Sequence, residues 1–161
     1  MLLATRPGGA PVRQTERFRT GFREIVRASG GRLMLDDMQH FGHWITPEAA
    51  PRRFDTHFLL ARSPVGQTAI PDRSEVVELA WRSPTQLVEQ SQTEDRSILF
   101  PTLLNLMRLA ESTNSATALA TARSTPPYTV LPIVETRDDG TRVAVIAAEA
   151  GYSLTERPID N

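Results

Sequence analysis

The sequence predicts an α/β chain of the α+β type: a mixed sheet, helices packed on it, and a C-terminal β-hairpin. Three observations predict it. Residues 52–61 alternate, so that a strand would carry Phe54, Thr56, Phe58 and Leu60 on one face and Arg53, Asp55, His57 and Leu59 on the other. Leu103, Leu104, Leu106, Met107 and Ala110 recur at helical spacing. Asp138-Asp139-Gly140 lies between β-branched runs, the composition of a hairpin turn.

Length and composition set the bounds. At 161 residues and 40% hydrophobic content the chain can bury one core, so residues 1–148 are expected to be a single domain and 149–161 a polar, loosely held tail. A net charge of -1 makes no field that would draw nucleic acid or an anionic membrane, and neither is an expected partner. All 18 basic residues are Arg, which removes Schiff-base and P-loop lysine chemistry. The lack of Cys removes disulfides, thiol catalysis and thiolate metal sites. No apolar run approaches the roughly 20 residues that span a bilayer, and Met1 to Ala4 is too short for a signal-peptide core, so a cytoplasmic protein is expected.

Residues 6–11 are a loop by their Pro and Gly density. Thr15 then stands where it can cap a helix over 16–29, in which Phe18, Phe22, Ile25 and Val26 recur and which Gly30-Gly31 ends. Arg17, Arg19, Arg23 and Arg27 read as its solvated face. Asp36-Asp37 reads as a turn, because adjacent side chains on a strand point apart and do not converge on a metal. Residues 38–45 and 52–61 are β-prone runs joined by Thr46-Pro47-Glu48-Ala49-Ala50-Pro51, whose prolines withdraw backbone donors and turn the chain. They predict a hairpin with a row of ionisable groups on one face.

His40, His43 and His57 invite a zinc reading, since neutral imidazole is a common ligand. On a regular strand a separation of three sends His40 and His43 to opposite faces, so no shared metal site is expected. Residues 63–67 and 70–72 are loops. Val76, Glu78 and Ala80 alternate against Val77, Leu79 and Trp81, predicting a largely buried strand over 75–82 that carries Glu78 inside it. A buried carboxylate needs a partner, and Arg52, Arg53 and Arg62 are the candidates, whether for a structural ion pair or a site.

Ser83 and Pro84 open a helix that runs to about residue 92. Further helices are expected over 100–112 and 115–124, covering a sheet face. Pro126-Pro127 breaks the pattern, and strands over 129–135 and 142–147 complete the terminal hairpin.

The hairpin segment also carries a likeness. Trp44-Ile45-Thr46-Pro47, a short spacer and Arg52-Arg53-Phe54-Asp55-Thr56-x-Phe58-Leu59 resemble the central segment of the long-insertion Nudix hydrolases, the branch similar to acyl-coenzyme A diphosphatases. Asp72-x-x-Glu75-Val76-Val77-Glu78-x-x-Trp81-x-x-Pro84 extends the resemblance, as do Pro101-Thr102, Asp139-Gly140 and Gly151-Tyr152. It implies a Nudix-like α/β/α sandwich and hydrolysis of nucleoside diphosphate linked substrates, coenzyme A derivatives among them. In an intact relative the glutamates of the Nudix box would hold Mg²⁺ or Mn²⁺ against the diphosphate while an activated water attacks phosphorus.

No segment of this chain fits that box. The nearest alignment uses Gly9, Arg23-Glu24-Ile25 and Gly30, and puts Thr15, Arg27 and Ala28 at the other acidic positions, where no divalent metal could be held. A second alignment matches Met1-Leu2-Leu3-Ala4 to the phrase that follows the box, and on that resemblance an N-terminally incomplete domain is expected. The resemblance therefore implies no catalytic residue and no metal ligand in this chain, which is expected to be inactive alone. Arg52, Arg53, Asp55 and Glu78 are the candidate substrate-binding residues, the two arginines as phosphate contacts. Three readings follow: a truncated hydrolase, a pseudoenzyme that binds a nucleotide-type ligand or a partner without turnover, or a subunit that completes a box-bearing partner through an exposed sheet edge.

Overall fold

The computed structural model of the chain describes residues 4–5, 21–33, 35–63, 66, 70–71, 78–93 and 98–159. The chain divides into two compact units, one of residues 1–38 with 61–70 and one of 39–60 with 71–161.

In the first unit β1 (Ala4–Thr5) pairs antiparallel with β2 (Arg32–Leu33). Between them α1 (Phe22–Ala28) ends at Gly30, whose φ of 61° lets its N–H turn back to the Arg27 carbonyl at 3.1 Å. The expected start of this helix, at residues 16–20, lies outside the described residues. Asp36 and Asp37 sit in a single 3₁₀ turn, Leu35–Asp37, which the Met38 N–H closes on the Leu35 carbonyl at 3.1 Å.

The second unit contains the hairpin. β3 (Gln39–Ile45) lies between β4 (Asp55–Leu60), antiparallel to it, and β5 (Thr129–Val130), parallel to it. A second, antiparallel sheet has the order β6 (Ile133–Thr136), β7 (Arg142–Val145), β8 (Glu156–Pro158). The class is α+β, with one mixed and one antiparallel three-stranded sheet among the described residues of this unit.

Among the described residues of this unit there are three α-helices. α2 (Pro84–Thr93) begins with a reciprocal cap: Ser83 Oγ accepts the Gln86 N–H and Gln86 Oε1 accepts the Ser83 N–H, both at 3.1 Å. α3 (Phe100–Ala110) packs on α2 and on β3. α4 (Ser115–Ser124) also lies against β3 and is capped by Asn114, whose Oδ1 accepts the N–H groups of Ala116 and Thr117 at 3.0 Å. Among the described residues no helix is long and apolar enough to cross a membrane.

Trp44, Phe100, Leu104, Val130, Ala144, Ile146, Ala150 and Tyr152 form the core. The Trp44 indole meets Phe100 edge to face at 6.0 Å, and Leu104 and Val130 are wholly enclosed. Burying a side chain of that size stabilises the fold by about 1.5–3 kcal/mol.

Three expectations are corrected. The strand foreseen over 129–135 is two strands in different sheets, because Pro132 has no N–H to give a ladder and the chain changes sheet there. Of the loose tail expected over 149–161, the described residues 149–159 are held: Ala150 and Tyr152 are core residues, and β8 pairs with β7. The polar run hid this, since its anchors are one aromatic ring and backbone bonds such as Ile159 N–H to the Arg142 carbonyl at 2.9 Å. Of the strand foreseen over 75–82, residues 75–77 lie outside the described residues, while 78–82 form no strand and Glu78, Leu79, Ala80 and Trp81 are exposed. Alternation alone did not give those residues a partner strand.

Candidate functional site

The turn between β3 and β4 is built by Thr46. Its N–H donates to the Phe54 carbonyl at 3.0 Å, and its Oγ1 accepts the Phe54 N–H at 3.0 Å. Pro47 and Pro51 cannot extend the ladder, so the loop is closed by this one side chain and by Ala50 N–H on the Pro47 carbonyl at 3.1 Å. Arg53 Nε donates to the Thr46 carbonyl at 3.2 Å, which fixes the side chain's base against the turn. Arg52 and Arg53 are both exposed, and among the described residues neither is paired with a carboxylate.

One face of the hairpin collects the histidines. The register pairs Ile45 with Asp55, His43 with His57 and His40 with Leu59, so all six lie on the same side of the sheet. His40 and His43 were expected on opposite faces; the register shift between His40 and Gly42 inserts Phe41 as an extra residue and turns His40 back to the side of His43. Gly42 is the local signal for it, since an isolated Gly within a strand pattern marks a bulge. Trp44 alternates to the other face and enters the core.

The geometry of that face is close. His43 Nε2 is 2.6 Å from Asp55 Oδ1 and His43 Nδ1 is 2.8 Å from Thr129 Oγ1, which β5 brings alongside through the parallel pairing of His43 with Thr129. His57 Nε2 lies 3.6 Å from the same Asp55 oxygen, and His57 Nδ1 is 3.0 Å from His40 Nε2. The rings of His43 and His57 stack at 4.2 Å and 11°. One ligand atom each from His43, Asp55 and His57 falls within 4.8 Å of the others. The side chains of Asp55 and His57 are 64% and 50% exposed, that of His43 17%, so the cluster is open to solvent on a rigid base.

The proton positions follow from these contacts. An ionised Asp55 favours the proton on His43 Nε2, which leaves Nδ1 to accept from the Thr129 hydroxyl. His40 is held below its ordinary value, first by desolvation and then by the adjoining charges of His57 and His43, with a backbone bond at Gly42 opposing.

Of the residues expected at a site, Arg52, Arg53 and Asp55 lie on one hairpin and Glu78 does not join them by any ion pair among the described residues. Glu78 is exposed rather than buried, so it does not require the arginine partner foreseen for it. Thr129 is 86 residues from His43 in sequence, and no local pattern announces it. The chemistry of a Nudix Mg²⁺ site does not fit α1, whose sequence has the single carboxylate Glu24. No protein-family model matches the chain, no curated protein matches it, and no solved structure matches it.

Proposed function

We propose that this chain is a Nudix-like domain that binds a nucleoside diphosphate linked ligand, a coenzyme A derivative being one candidate, and does not hydrolyse it alone. The observation that carries this reading is the hairpin. Trp44 to Pro47 and Arg52 to Leu59, the residues of the resemblance, belong to one hairpin whose turn is closed by Thr46, with Arg52 and Arg53 exposed in it. Each guanidinium offers a planar fork of donors suited to phosphate oxygens, and neither is neutralised by a carboxylate among the described residues. Hydrolysis is not assigned, because a diphosphate cleaved by this chemistry needs a carboxylate-bound Mg²⁺ and no segment of the chain fits the box that supplies it.

The test is calorimetric titration of coenzyme A and of adenosine diphosphate into the full chain, with and without Mg²⁺, beside an assay for phosphate-bond cleavage. Saturable binding that the Arg52→Ala/Arg53→Ala double variant weakens by about tenfold or more is the expected result. Absence of saturable binding by either compound overturns the ligand assignment. Mg²⁺-dependent turnover overturns the non-hydrolytic part.

A further inference from the structure

We propose that His43 Nε2, His57 Nε2 and Asp55 Oδ1 form a three-ligand site for one divalent transition-metal ion of the zinc class. The remaining coordination positions face solvent. This inference is independent of the nucleotide reading, since it rests on imidazole and carboxylate geometry and uses neither arginine.

One ligand atom from each residue lies within 4.8 Å of the others, and because the His43 and His57 rings stack at 11° they have to tilt for both in-plane lone pairs to meet one ion. Zinc bonds of about 2.0–2.2 Å in tetrahedral geometry set ligand atoms roughly 3.4 Å apart. His57 Nε2 and Asp55 Oδ1 already stand 3.6 Å apart. The hydrogen bond between His43 Nε2 and Asp55 Oδ1, at 2.6 Å, has to open by a little under 1 Å, a movement within reach of a carboxylate whose side chain is 64% exposed.

The outer contacts are those of metal-binding histidines. A ligating imidazole ordinarily has its other ring nitrogen engaged by a neighbour, which fixes the tautomer and the ring plane. Both rings here meet that condition: Thr129 Oγ1 holds His43 Nδ1 at 2.8 Å and His40 Nε2 holds His57 Nδ1 at 3.0 Å. On metal binding the His43 proton moves from Nε2 to Nδ1, and the Thr129 hydroxyl turns from donor to acceptor without losing its bond. No proton needs to leave a neutral His43. A simple hydroxyl–imidazole–carboxylate relay through Thr129, His43 and Asp55 would leave His57 and His40 without a part, whereas the metal site uses all five groups.

The ligand set selects the ion. Two imidazoles and one carboxylate suit Zn²⁺, Co²⁺, Ni²⁺ or Fe²⁺, while Mg²⁺ and Ca²⁺ prefer all-oxygen shells. The bulge at Phe41–Gly42 is what permits the arrangement, because it returns His40 to the face where it can brace His57.

Titration of the metal-free full chain with Co²⁺, followed by visible absorption, and with Zn²⁺, followed by calorimetry, tests the proposal in the absence of any nucleotide. One ion per chain is expected, with Zn²⁺ displacing Co²⁺ and millimolar Mg²⁺ failing to do so. Asp55→Asn and His57→Gln should each weaken binding by more than about tenfold, and Thr129→Val by about tenfold through loss of the outer contact. Because a variant can lose binding by misfolding, imidazole nitrogen shifts of His43 and His57 are followed in the unaltered protein as Zn²⁺ is added. Binding that leaves both sets of shifts unmoved, or that survives unchanged in both ligand variants, overturns the site.

Discussion

Trp44 donates its indole N–H to the Tyr152 hydroxyl at 3.1 Å, and that hydroxyl donates onward to Asn105 Oδ1 at 3.0 Å. A single phenol thus joins β3, α3 and the segment that follows β7. Asn105 is fixed at its other end by Nδ2 on the Pro101 carbonyl at 2.8 Å, and the Arg108 guanidinium covers the Tyr152 ring 3.5 Å from its centroid. The hairpin that carries the histidines and arginines therefore has its reverse face anchored by a polar chain inside the core.

Tyr152→Phe keeps the ring and removes the bridge. It leaves the Trp44 N–H and one Asn105 lone pair without their partner in a buried setting, which costs about 1–3 kcal/mol. Urea unfolding should show a lower midpoint at an unchanged slope. A midpoint equal to that of the unaltered protein would falsify the idea that this hydroxyl stabilises the core.

The same phenol gives an alkaline signature. Burial pushes Tyr152 above its ordinary value, outweighing the opposing effects of the Trp44 hydrogen bond and the Arg108 charge. The unfolded chain then loses this proton at about pH 10, before the folded one does, so the folded state binds more protons above that point. Its contribution is complete below about pH 10 and is lost as pH rises through the folded value. Melting temperatures recorded across that range should fall more steeply for the unaltered protein than for Tyr152→Phe. Parallel curves would remove Tyr152 as the cause.

Much of the second unit was legible because local chemistry and tertiary structure agree there. Ser83 and Pro84 announce the α2 start, Leu103 to Ala110 the α3 stripe, and Asp139-Gly140 the turn, where Gly140 has φ of 84°. What was not legible depends on registers between distant strands. The alternation of β4 placed Asp55 and His57 on one face correctly, but the one-residue bulge in β3 reversed the inference for His40, and the parallel β3–β5 pairing that supplies Thr129 has no sequence signature. Tyr152 looked like part of a polar tail because its burial is decided by Trp44, 108 residues away.

Gly42 tests the bulge from the other side of the sheet. A Cβ built there would stand 2.5 Å from Asn105 Oδ1, and Asn105 is held by Pro101 and Tyr152, so it has little freedom to withdraw. Gly42→Ala should therefore destabilise by about 1–3 kcal/mol through overpacking. Gly21→Ala, with nothing among the described residues within 4 Å of the new methyl, should stay within about 0.5 kcal/mol. Thermal melts of the two variants side by side decide it: equal melting temperatures would mean that Asn105 yields at no cost.

Thr46→Val connects the turn to ligand binding. The substitution keeps the β-branched shape and the backbone bond to Phe54, but removes the Oγ1 that accepts the Phe54 N–H at 3.0 Å. That bond is exposed, so its loss costs stability only about 0.5–1.5 kcal/mol. The turn it closes also presents Arg53, whose Nε rests on the Thr46 carbonyl at 3.2 Å. A loosened turn has to be ordered again when a phosphate binds, so affinity for coenzyme A or adenosine diphosphate should fall several-fold while Co²⁺ binding at His43, Asp55 and His57 changes less. Separate titrations of the variant with nucleotide and with Co²⁺ distinguish this from general damage. Equal losses in both would mean that Thr46 supports the whole hairpin and not the arginine-bearing turn in particular.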